Sequence, residues 1–138
     1  MNLNLKVIFF TSARSDFGIL SGVIKEFNKL SKVEVIATGA HTSYSLSDSL
    51  KDVEDFCLKQ NIVLKKFEFN YEKDGDSISQ LSALSSAQQN ISVYLGEKNP
   101  DLIVFLGDRW ELYSISIAAL ILRIHNALQL LFLFLRSL

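Results

Sequence analysis

Leu102-Ile103-Val104-Phe105-Leu106-Gly107-Asp108-Arg109-Trp110-Glu111 reads as a short apolar strand that runs into a glycine turn and two opposite charges. The stretch 111–122 that follows is spaced as an amphipathic helix. Strand, glycine turn and helix are the repeating unit of an open parallel sheet, and in such sheets ligands bind outside the carboxyl ends of the strands. Gly107-Asp108-Arg109 at that position sets an acid or base beside a cation able to hold phosphate.

Two further strand ends carry similar chemistry. Lys6-Val7-Ile8-Phe9-Phe10 leads into Thr11-Ser12-Ala13-Arg14-Ser15-Asp16, and Val33-Glu34-Val35-Ile36-Ala37 leads into Thr38-Gly39-Ala40-His41-Thr42-Ser43. Three polar strand ends in one short chain point to a site along one edge of a sheet. Working outward, strands are predicted at 5–10, 32–37 and 61–69. A first helix places Ile19, Leu20, Val23, Ile24, Phe27 and Leu30 on its apolar face, with Ser15 or Asp16 to cap its start. A second carries Leu46, Leu50, Val53 and Cys57. After a polar loop at 71–76, Ile78, Leu81, Leu84, Ile91 and Leu95 mark a long helix. Its Ser-, Ala- and Gln-rich middle, 82–90, suits a surface or an interface. Asn99-Pro100-Asp101 then breaks the chain before the 102–105 strand. The alternation predicts an α/β fold: a Rossmann-like, three-layer domain with a parallel sheet and helices on both faces.

The bulk properties narrow the function. The chain has 138 residues, enough for one domain with its own core. A net charge of −1 gives no electrostatic case for a nucleic-acid partner. One cysteine, Cys57, excludes an internal disulfide framework and suits a reducing, cytoplasmic setting; it reads as a core filler. The first strand is not followed by the GxGxxG fingerprint, so a nicotinamide or flavin cofactor is not expected. No cluster of His, Cys and acidic residues suggests a metal. Asn90-Ile91-Ser92 is a glycosylation sequon by chance, since it falls in a helical pattern. The almost wholly apolar run 128–135 is shorter than the ~20 residues that span a bilayer. Extending it backward brings in Arg123, His125 and Asn126, so a buried strand or an abnormal terminus is expected there, and no membrane partner.

Three of these stretches, in this order, resemble the hydrolysing UDP-N-acetylglucosamine 2-epimerases of bacterial sialic-acid and legionaminic-acid pathways. They are Thr11-Ser12-Ala13-Arg14-Ser15-Asp16-Phe17-Gly18, Thr38-Gly39-Ala40-His41 and the segment from Pro100 to Glu111. The resemblance covers 1–122 and implies the N-terminal half of a GT-B-type enzyme, in which two Rossmann-like domains face each other across a cleft. The family's following strand and Gly-Gly-Glu loop are not matched at 123–138, so an atypical apolar tail is expected, with a frameshift or early stop after Leu122 as the simplest account. The implied reaction converts UDP-N-acetylglucosamine to N-acetylmannosamine and UDP, by elimination to a glycal and then hydration. The resemblance makes Asp108 and His41 catalytic, and puts Arg14 and Arg109 on the diphosphate. Asp16 and Glu111 then order the two loops on the substrate-binding side. It implies a UDP-sugar partner, no cofactor and no metal, in relatives that are often homo-oligomers.

Plainer readings stand beside these. Asp108 can cap the helix that follows, with Glu111 completing a capping box. Arg14 can be a solvated loop cation, and His41 a turn residue bound only to backbone. Trp110 and Tyr113 read as packing at the domain edge. The alternative functions are a UDP-N,N'-diacetylbacillosamine 2-epimerase (hydrolysing) and a non-catalytic remnant with an aggregation-prone tail. A glycosyltransferase of similar architecture is disfavoured by Gly-Asp-Arg combined with Thr-Gly-x-His.

Overall fold

A computed structural model describes residues 4–42, 47–69, 75–107 and 109–128. Five parallel strands form one sheet in the order β3-β2-β1-β4-β5: β1 (Lys6–Thr11), β2 (Lys32–Ala37), β3 (Val63–Lys66), β4 (Leu102–Phe105) and β5 (His125–Leu128). Helices α1 (Arg14–Asn28), α2 (Ser47–Gln60), α3 (Ser77–Lys98) and α4 (Leu112–Ile121) connect them, with a 3-10 turn at Gly39–His41.

The near-continuous apolar sequence of β1 has a direct cause. A parallel strand between two helical layers is buried on both faces, so alternate residues serve different cores. Ile8 and Phe10 join Ile36, Ile103 and Phe105 beneath α3 and α4. Val7 and Phe9 join Val35 and Ala37 beneath α1 and α2. Each large side chain so buried contributes about 1.5–3 kcal/mol. The α/β, three-layer expectation is therefore met.

Several helix faces differ from the sequence reading. The buried stripe of α1 is Phe17, Leu20 and Ile24, with Phe27 partly buried, whereas Ile19 and Val23 are 65% and 41% exposed. One stripe at 3.6 spacing is narrower than the apolar arc of this helix. On α3, Ile78 and Leu81 are exposed, and the core face is Ala83, Ala87, Ile91 and Leu95. The 82–90 stretch, read as a surface or an interface, is both: Ser82, Ser85 and Gln89 are exposed, while α3 lies on α4 and Gln88 Nε2 donates to the Ser114 carbonyl at 3.0 Å. Helix α4 is not amphipathic. It carries no charged residue, buries Leu112, Ile115, Ala118 and Ala119, and turns Tyr113, Ile117, Leu120 and Ile121 outward.

Strand β3 is shorter than the predicted 61–69, because its ladder with β2 ends at Ala37↔Lys66, where β2 itself ends. The helix break at Asn99 is as read: Asn99 adopts a left-handed φ of 43°, and its N–H donates to the Leu95 carbonyl. The sheet continues past Leu122. His125–Leu128, assigned to the tail in the sequence reading, pairs in register with Leu102–Phe105. Leu46 and residues 129–138 lie outside the described residues. Among the described residues, no helix is long and apolar enough to cross a membrane.

Candidate functional site

The strand order reverses between β1 and β4, since β1 connects toward β2 on one side and β4 toward β5 on the other. Such a switch point leaves a crevice at the carboxyl ends of the two strands. The loops after β1 and β4 flank it, and the 3-10 turn after β2 lies alongside. All three polar strand ends therefore share one edge.

Asp16 organises the first loop. It is 7% exposed, and its carboxylate accepts from the backbone N–H groups of Ser12 (2.9 Å), Ala13 (2.8 Å) and Phe17 (2.9 Å), and from the hydroxyls of Thr11 and Ser12 (3.2 Å each). The cap position of α1 is Ala13, not Ser15 or Asp16; Asp16 supplies the capping acceptor from the third helical residue, because alanine has no side-chain oxygen.

His41 occupies the second loop and is 1% exposed. Its Nε2 lies 2.9 Å from Thr11 Oγ1, its Nδ1 is hydrogen-bonded to Ser49 Oγ on α2, and its ring meets Phe17 edge-on. Its side chain thus binds hydroxyls, in addition to the backbone bonds from its N–H to the Ser12 and Thr38 carbonyls. Burial pushes the His41 pKa below its ordinary value, against the opposing pull of Asp16.

Glu111 locks the third loop to the others. It is 1% exposed; Oε1 accepts from Arg109 Nε at 2.6 Å, and Oε2 has no hydrogen-bond partner. A Cβ at Gly39 would stand 2.6 Å from that same Oε1 and 3.1 Å from the Ser12 Cβ, so the three loops converge at one point. Glu111 is itself the cap residue of α4, in helical backbone conformation and without a side-chain cap bond, so it completes no capping box. Gly107 has a φ of +114°, which the turn after β4 requires and which L side chains rarely adopt. Asp108 lies outside the described residues.

The two arginines differ. The Arg109 side chain is 40% exposed and anchored by Glu111. Arg14 is 72% exposed and pairs with Asp52 of α2 at 2.9 Å. Trp110 packs edge-to-face on Phe69, whereas Tyr113 is 44% exposed. Sequence reasoning missed Ser49 and Asp52. Both are polar residues within a helix-forming stretch, Ser49 buried and Asp52 exposed, and nothing in their spacing from His41 or Arg14 signals a contact with the loops. A cavity of about 360 Å³, lined in part by Lys6, Lys32, Glu34 and Lys98, opens at the opposite, amino-terminal edge. It shares no residue with the cluster, and the convergence of buried polar groups favours the carboxyl edge as the site. Among the described residues, no group of His, Cys, Asp and Glu is placed to hold a metal.

A five-stranded parallel sheet with its polar loops at a switch point defines a Rossmann-like α/β domain of the kind that forms half of a GT-B enzyme. The UDP-N-acetylglucosamine 2-epimerase family model matches residues 25–127, and the chain belongs to that family. It is 29% identical over 121 residues to the GDP/UDP-N,N'-diacetylbacillosamine 2-epimerase (hydrolyzing) of Campylobacter jejuni, covering 86% of this chain and 30% of that protein. In fold it is similar to the Methanocaldococcus jannaschii UDP-GlcNAc 2-epimerase solved in complex with UDP-GlcNAc and UDP (TM-score 0.63, 22% identity, 90% of this chain and 32% of that one). It is also similar to Acinetobacter baumannii MurG (TM-score 0.67, 14% identity, 90% and 34%). The chain thus spans about a third of the length of these relatives.

Proposed function

We propose that this chain supplies the N-terminal half of the active site of a hydrolysing UDP-sugar 2-epimerase. The observation that carries this reading is the convergence of the three loops on Gly39 and Glu111 at the switch point. Elimination removes the proton at C2 as UDP leaves C1, and hydration of the resulting glycal gives the 2-epimeric sugar. The departing diphosphate calls for cations, and the C2 proton calls for an acid/base group. Arg109, oriented by a buried carboxylate, and Arg14, on the exposed rim, supply the cations. Asp108, between Gly107 and Arg109, is assigned the acid/base role.

A UDP-N,N'-diacetylbacillosamine-type sugar is the second reading of the substrate, favoured by the similarity to the Campylobacter jejuni protein. Release of UDP from each of the two nucleotide sugars by the purified chain tests the proposal. Release that is lost in Asp108→Asn supports a working site, and the ratio of rates identifies the sugar. No release from either sugar means that the chain carries only half a site. Release that survives Asp108→Asn overturns the assignment of Asp108.

A further inference from the structure

Thr11 has one hydroxyl proton and stands between two partners. It donates to Asp16 Oδ1 at 3.2 Å, so the same oxygen presents a lone pair to His41 Nε2 at 2.9 Å. With the Thr11 proton on Asp16, the imidazole proton falls on Nε2. Nδ1 is then bare and accepts from the Ser49 hydroxyl. Ser49 is 6% exposed, Thr11 is fully buried, and both ring nitrogens of His41 are taken.

We propose that Ser49 and Thr11 are positioning residues of this site: they fix His41 as the neutral Nε2–H tautomer, so that His41 acts on a bound ligand only through the loop it holds. The arrangement joins β1, α1, the 3-10 turn and α2 in one directional chain, Ser49 to His41 to Thr11 to Asp16.

The charged groups around the ring do not undo this. Burial disfavours the imidazolium most strongly. Asp16 of α1 and Asp52 of α2 draw a proton toward the ring, and Arg109 of the β4–α4 loop repels it. Asp16 is already committed to five donors, and Asp52 pairs with Arg14. Glu111 faces the turn at Gly39, with its Oε1 held by Arg109. A second proton on His41 would have to displace the Ser49 hydroxyl hydrogen from Nδ1.

The test is the protonation state itself, read from long-range proton–nitrogen NMR spectra of the full 15N-labelled chain. There are two histidines, and His125→Gln assigns their signals. At neutral pH, His41 is expected as a single Nε2–H tautomer with a bare, hydrogen-bonded Nδ1, titrating below the ordinary value of 6.5. Ser49→Ala removes the donor that favours the neutral ring, so the midpoint rises, and Ser49→Thr restores it. An Nδ1–H tautomer, an averaged mixture of tautomers, or a Ser49→Ala midpoint equal to that of the parent chain overturns the proposal. If Ser49→Ala does not fold, the tautomer in the parent chain decides alone.

Discussion

At the scale of single residues, Gly39 meets two demands that no other amino acid meets. Its φ of +56° lies in the left-handed region, and the space where a Cβ would sit is filled by Glu111 Oε1 at 2.6 Å. Gly39→Ala is therefore expected to destabilise the fold by about 1–3 kcal/mol from backbone strain alone, more if Glu111 is displaced. Urea unfolding of parent and variant checks this. Gly18, where an added Cβ meets nothing within 4 Å, gives the control: Gly18→Ala in α1 should be neutral or stabilising by less than about 1 kcal/mol. The role of Glu111 in ordering its loop was legible in the sequence only through the family resemblance. The spacing of Asp16 from the strand end does suggest a cap. Nothing in the spacing of Glu111 suggests a contact with a glycine 72 positions earlier, which depends on the order of the strands.

At the scale of elements, the strands were more legible than the helix faces. A parallel strand buried on both sides needs only a run of apolar residues; β1 and β4 each have one, and β2 has a short one at Val35-Ile36-Ala37. A helix face needs a periodic signal, and α4 has none, because its outward residues are as apolar as its inward ones. Helix α3 misled for the opposite reason. Its packing face uses Ala83 and Ala87, which contribute little to a hydrophobic pattern but allow close contact, while Ile78 and Leu81 lie outside. The two kinds of position are expected to separate on mutation. Ile91→Ala, at a fully buried site in the α3–α4 core, should cost about 2–5 kcal/mol. Ile78→Ala, at a side chain 76% exposed, should change stability by less than about 0.5 kcal/mol. Denaturant midpoints of the two variants distinguish this packing from the one read in the sequence.

At the scale of the whole molecule, the sheet order brings loops that are far apart in sequence to one edge, and the buried His41 ties stability to pH. The folded pKa of His41 lies below the ordinary value of 6.5. Between those two values the unfolded chain binds more protons than the folded one, so stability rises with pH across that window. The His41 contribution is complete above about pH 6.5 and is lost as the pH falls through the folded pKa. Urea midpoints between pH 7.5 and 5 should fall in the parent chain, and the fall should be smaller in His41→Gln. Equal slopes would remove His41 as the cause. The meeting of Glu111, Gly39 and Ser12 also bears on engineering. A loop grafted after β4 from a homologue with a different residue at position 111 brings no partner for the contour of the β2 turn. New sugar selectivity is therefore better sought by transplanting the three loops together, as one matched cassette, than by exchanging any one of them.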